Sequence, residues 1–279
     1  MRRFFRAIWP PLPVWRRLDL AVVALSVYTA VAVLVLAWTP LTVPEWGGAS
    51  AILNALILGV LLSFRNREAY DRWWEGRKLW GQLVNDSRNL CLKAAPLPGL
   101  TTADRARLGV LVIGFAAALK DHLRGAAALH WVPGFEKETA GPAHVPLYLA
   151  GRLAELLRGW RAEGKLTDYD LLLLDPHARA QMDICGACER IKTTPVPLSY
   201  RSLLRHGLVL YLLSTPWMIG GQLLWWSVPA VALLGYFLLG IELTAEDVED
   251  PFGRDGDDLA LAAYCQTIRR SVDEALGQA

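Results

Sequence analysis

Residues 50–89 read SAILNALILGVLLSF from Ser50 to Phe64 and RNREAYDRWWEGRKLWGQLVNDSRN from Arg65 to Asn89. The first part is apolar and the second is charged and aromatic, with no proline in either; only Gly59, Gly76 and Gly81 weaken a helical reading. As one helix, about 40 residues rising roughly 1.5 Å each cover about 60 Å, twice the ~30 Å of a bilayer core. Such a helix crosses a membrane and continues well beyond it. Leu56, Val60 and Phe64 recur every four residues on one face. Tyr70, Trp73, Trp74, Arg77 and Trp80 form a second stripe at helical spacing.

The rest of the chain fits this reading. Of 279 residues, 53% are hydrophobic and 20% charged, with 12 tryptophans and a mean hydropathy of +0.27. That is too apolar for an ordinary soluble enzyme and too charged for a bundle lying wholly in lipid. A formal net charge of +2 gives no electrostatic footprint for nucleic acid. Leu20–Trp38 is uncharged and long enough to span, preceded by Arg16 and Arg17 and followed by Pro40, Pro44, Glu45 and Trp46. The positive-inside rule puts the basic N-terminal arm in the cytosol and the Thr39–Trp46 loop outside, with Trp38 and Trp46 at the interface. The second span returns from Gly47 to Phe64, and Arg65, Arg67 and Arg72 form its cytosolic flank. Gly207–Ile241 carries no ionisable residue except Tyr211 and Tyr236, enough for a tight hairpin of two spans turning near Gly220, Gly221, Trp225, Trp226 and Pro229.

Between these blocks lies a helical region of another kind. Pro96 and Pro98 end the long helix. Thr101, Thr102 or Asp104 caps the next, whose uncharged run Leu108–Ala117 is too short to span and suits a buried bundle helix. Two further helices are expected over Leu147–Glu163 and Thr167–Thr194, the latter capped at Thr167 or Asp168 and either kinked at Pro176 or restarted there with Asp175 as the new cap. The expected layout is spans 1–2 over residues 18–66, a cytosolic helical region over 67–200, spans 3–4 over 201–243 and a cytosolic segment over 244–279. Cys91, Cys185, Cys188 and Cys265 then fall in the cytosol as free thiols. The Cys185–Cys188 pair lacks a second half at zinc spacing, and His122, His130, His144, His177 and His206 show no ligand spacing in the sequence. No nucleophile–base pair, phosphate loop or HExxH motif argues for an enzyme.

Three motifs carry a resemblance. The run SFRNREAYDRWWEGRKLWGQLVNDSRN resembles the signature segment of the bestrophin ion channels in their bacterial branch. PVPLSY at Pro195–Tyr200 resembles the element before the family's third span, and GIELTAEDVEDPFGRDGDDLAL the segment after its fourth. The signature residues are Arg72, Trp73, Trp74, Trp80, Pro251, Phe252 and Gly253. The resemblance implies an all-α, four-span, homopentameric membrane protein with a cytosolic helical bundle. It is expected in the bacterial inner membrane with both termini cytosolic, conducting monovalent ions passively. Eukaryotic relatives are chloride channels, and the bacterial branch includes cation conductors. It further implies that Leu56, Val60 and Phe64 line a hydrophobic neck. A second, cytosolic aperture falls at Ala178 by counting back from Tyr200, or at Leu174 by distance from the first motif. Asp255 and Asp258 fall where eukaryotic relatives bind Ca²⁺, but Arg254 and Gly256 interrupt the acids, so a weak Ca²⁺ site stands against a docking turn in which Asp257 or Asp258 caps a helix over Leu259–Leu276. The alternative to a channel is a membrane-integral scaffold that binds a partner.

Overall fold

The computed structural model describes residues 13–39, 48–137 and 141–277, with side chains described from residue 14 and, in the second segment, from residue 55. The expected outer loop with Trp46, and residues 1–12 of the basic arm, lie outside the described residues. The described elements are helical: α1 (Pro13–Trp38), α2 (Gly48–Ala94), α3 (Thr102–Leu123), α4 (Val145–Ala162), α5 (Asp168–Thr193), α6 (Leu198–Leu223), α7 (Ser227–Val248) and α8 (Leu261–Ala275), with short 3₁₀ turns at Leu129–Trp131 and Leu224–Trp226. No strand occurs among the described residues.

The chain forms two compact units, and α2 contributes to both, changing over between Arg72 and Trp73. The first unit contains α1, the first part of α2, α6 and α7. Its core is Leu25, Leu58, Leu62, Leu208, Leu212 and Val231. Small residues let the backbones approach, as lipid-embedded packing favours: a Cβ on Gly235 of α7 would stand 2.4 Å from Leu25 Cδ2. Two aromatic side chains link helices here, Trp217 Nε1 donating to Tyr28 Oη at 2.7 Å and Tyr28 Oη to the Leu213 carbonyl at 3.0 Å. Val14–Trp38 and the run Leu198–Val248 are long and apolar enough to cross a membrane. The hairpin between α6 and α7 turns at Leu224–Trp226, where Leu224 has φ 46°. Gly220 and Gly221 stay inside α6, and Pro229 sits in the first turn of α7; proline is tolerated there because the N–H it lacks has no helical partner anyway.

The second unit contains α2 from Trp73, then α3, α4, α5, the loop 251–254 and α8. The uncharged run of α3 is its centre, with Leu108, Val112, Phe115 and Leu119 buried and α4, α5 and α8 packed around it. Thr101 accepts the Asp104 N–H while the Asp104 carboxylate receives the Thr101 N–H, a capping box. Thr167 and Asp170 repeat it at α5. Of the two alternatives at Pro176, the restart does not occur: the proline lies inside one continuous helix. The helix after the acidic loop also differs. It begins at Leu261, and its N-cap is Ala260 with no side-chain hydrogen bond, so neither Asp257 nor Asp258 caps it.

Candidate pore wall and charge network

The apolar half of α2 has two faces. Leu58, Leu62, Arg65 and Ala69 are spaced four, three and four apart, and all are buried within the first unit. Leu56, Val60 and Phe64 lie on the opposite face and are 62%, 46% and 59% exposed. An amphipathic helix hides one face and offers a polar one to water. This segment hides one apolar face and leaves another uncovered.

The position after Phe64 holds a surprise. Arg65, expected as part of the cytosolic basic flank, has no accessible surface. Its Nη2 lies 2.7 Å from Glu249 Oε2, and its Nε 3.6 Å from Glu242 Oε2. Glu249 also accepts the Val196 N–H at 3.0 Å and lies 3.9 Å from Arg201 Nη1, while its main-chain oxygen receives Arg72 Nε at 3.2 Å. Arg205 bridges Glu242 and Glu246, each at 2.9 Å. Three guanidinium groups of the signature and PVPLSY regions thus meet three carboxylates at the end of α7. A buried arginine is tolerated only when its charge is matched in this way. Arg67, by contrast, is exposed and pairs loosely with Asp71 at 3.8 Å. The sequence clue was available, since Glu242, Glu246 and Glu249 recur at helical spacing, but nothing local pairs them with Arg65.

The aromatic stripe splits. Trp80 is fully buried against Tyr264, ring centroids 5.8 Å apart, and Trp73 packs on the core of the second unit. Tyr70 and Trp74 are largely exposed. The two end motifs meet within the second unit: Phe252 is buried against Gly76, where a Cβ would stand 3.2 Å from Phe252 Cε1. Pro251 accepts the Leu259 N–H at 2.9 Å and closes the turn. Gly253 leaves room for Asp258, whose Oδ2 would lie 2.5 Å from a Cβ there.

Leu174 is 1% exposed and sits in the bundle core. Ala178 is half-buried and packs on the same core. The large apolar residues of α5 left uncovered are Tyr169, Leu172 and Leu173, at i, i+3 and i+4. Asp255 is exposed and Asp258 half-buried. The group of at least three ligand-bearing side chains that converges among the described residues lies elsewhere, at His122, His144 and Glu189. The sequence reading missed it because the three come from separate elements. Cys185 and Cys188 are buried free thiols; burial, with a smaller contribution from Glu189, pushes Cys185 up to about 12.

A chain whose described elements are all helical, with apolar helices long enough to cross a membrane, an uncovered apolar helix face and a buried charge network, fits the class of membrane proteins. The family follows from comparison. A family model described as Bacterial/Fungal Bestrophin protein matches residues 12–274, and the chain belongs to that family. It is 34% identical over 233 residues to a voltage-dependent anion channel-forming protein of Nostoc sp., covering 80% of this chain and 76% of that one. A protein of the same description from Mesorhizobium japonicum is 33% identical over 258 residues, covering 91% and 83%. Among solved structures, a bacterial bestrophin homologue from Klebsiella pneumoniae superposes with a TM-score of 0.85 at 25% identity, over 94% of this chain and 99% of that one.

Proposed function

We propose that this protein is a pore-forming ion channel in which copies of α2 surround an axial passage and present Leu56, Val60 and Phe64 to it. The observation that carries this reading is the uncovered apolar face of α2, opposite a face already packed. A ring of such residues gives an ion nothing in exchange for its hydration shell, so it gates by narrowing and dewetting. We assign five copies, four spans per chain over residues 18–66 and 201–243, cytosolic segments over 67–200 and 244–279, both termini cytosolic, and the bacterial inner membrane. The matches to channel-forming relatives support this, and their names point to anions. The neck side chains themselves select no charge. We assign the second, cytosolic constriction to Ala178 or Leu174, or to the uncovered stripe Tyr169, Leu172 and Leu173 on the same helix.

The test is conductance of the purified protein in planar bilayers. Wild type is expected to pass monovalent ions, with reversal potentials under salt gradients reporting the sign. Replacing Leu56, Val60 and Phe64 together by alanine is expected to raise open probability or unit current severalfold. Currents from wild type that this replacement leaves unchanged would remove the neck assignment. Complete absence of current would leave a membrane scaffold as the reading.

A further inference from the structure

α3 ends with His122 in its last turn, His144 is the N-cap of α4, and Glu189 lies one turn before the end of α5. These three elements bring two imidazole nitrogens and a carboxylate oxygen within 4.8 Å of one another. His122 Nε2 is 2.6 Å and His144 Nε2 2.8 Å from the same oxygen, Glu189 Oε1, and the rings stand 4.5 Å apart. Each side chain is between a quarter and a third exposed, so the group is held in place yet open to an ion from solvent. Burial pushes the Glu189 carboxyl up, but the hydrogen bonds from His122 and His144 outweigh it and hold it below its ordinary value. Cys185, one turn earlier on α5, interacts with the same carboxylate.

We propose that His122, His144 and Glu189 bind a zinc ion that ties α3, the start of α4 and α5 together. Two imidazoles and one carboxylate suit zinc, whose catalytic sites use that donor set with a fourth position left open. Calcium and magnesium, which take oxygen ligands, are poorly matched. Zinc bonds of about 2.0–2.1 Å place tetrahedral ligands roughly 3.3 Å apart, so the nitrogens and the oxygen open by about half an ångström to admit the ion. The fourth position falls to water or to the Cys185 sulfur. One feature opposes binding. His144 Nδ1 accepts the Leu147 N–H at 3.1 Å, and ligation through Nε2 moves the ring proton to Nδ1 and breaks that cap. An N-cap is worth about fivefold in an equilibrium, small beside protein zinc-binding constants on the order of 10⁷ or more.

The test uses full-length protein in detergent, freed of metal with a chelator and titrated calorimetrically with ZnCl₂. The expected result is one ion per chain with a dissociation constant at or below about 10 μM, a rise in the unfolding midpoint, and no response to CaCl₂. Cobalt(II) is expected to give visible absorption bands of a low-symmetry site, with a sulfur charge-transfer band only if Cys185 is the fourth ligand. His122→Ala and Glu189→Gln are each expected to weaken zinc binding by about a hundredfold, while His130→Ala, at an exposed position, leaves it unchanged. His144→Asn keeps a capping side chain and removes the imidazole, separating loss of a ligand from loss of the helix. Circular dichroism checks that each variant is folded. The proposal is overturned if wild type takes up no zinc at about 100 μM, or if folded His122→Ala and His144→Asn bind it like wild type; the trio is then a hydrogen-bonded contact only. Neither result depends on whether the protein conducts.

Discussion

Arg65 shows how far one residue can depart from its sequence context. It stands in a row of basic residues after an apolar run, and Arg67, two positions on, behaves as an exposed flank should. Helix phase separates them: Arg65 continues the buried stripe of Leu58 and Leu62, and Arg67 does not. Arg65→Gln leaves the Glu242 and Glu249 carboxylates, both almost wholly buried, without their shared cation. A loss of about 3–5 kcal/mol is expected, read as a drop in the unfolding midpoint in detergent, with part of it recovered when Glu249→Gln is added. Asp104 gives a second test in the other unit. Burial acts to raise its carboxyl, but Lys165 at 2.9 Å and the Thr101 cap outweigh it and hold it well below the usual range. A depressed folded value contributes stability above the unfolded pKa of about 3.9. That stability is expected to fade as pH falls from about 5 through 4 and below. In Asp104→Asn this part of the pH dependence should vanish from the midpoint-against-pH curve, alongside a loss of about 1.5–3 kcal/mol at neutral pH.

Among the elements, the helices with local signals were the legible ones. Thr101 with Asp104, and Thr167 with Asp170, announce their helix starts because a capping box needs only neighbours in sequence. The acidic loop misled, because Asp257 and Asp258 look like caps but the chain runs on to Ala260 before α8 begins. Pro176 misled in the opposite way. It suggested a break, yet α5 continues through it, held by Leu174 below and Ile184 above in the core. The proline leaves the helix one hydrogen bond short, so Pro176→Ala is expected to stabilise the bundle by about 1–3 kcal/mol, measured by chemical unfolding. Phe252 makes the reverse case. It fills the hollow over Gly76, and Phe252→Ala should cost about 3–5 kcal/mol in the same assay.

For the molecule as a whole, the uncovered surface says most about its surroundings. Leu20, Val23, Val27, Val31 and Leu34 line one exposed side of α1, and Leu56, Val60 and Phe64 one side of α2. A chain with this much bare apolar surface does not persist alone in water. Native mass spectrometry from detergent is expected to show one closed assembly of five chains; monomer at micromolar concentration would count against the axial arrangement. The family was legible because its motifs are contiguous runs. The charge network and the histidine–glutamate trio were not, because their members lie on different helices and converge only after folding.

The same network bears on which ions pass. Arg65, Arg201 and Arg205 face Glu242, Glu246 and Glu249, three cations against three anions, so these six side chains carry no net charge, with Arg72 held beside them on the Glu249 main-chain oxygen. The field of the six falls off steeply with distance and gives an approaching ion little reason to prefer either sign. Neutralising one member removes that silence. Glu246→Gln would leave one uncompensated positive charge per chain just past the proposed neck, multiplied by the symmetry of the ring. Its reversal potential in a salt gradient should move toward that of the anion, and Arg205→Gln should move it the other way.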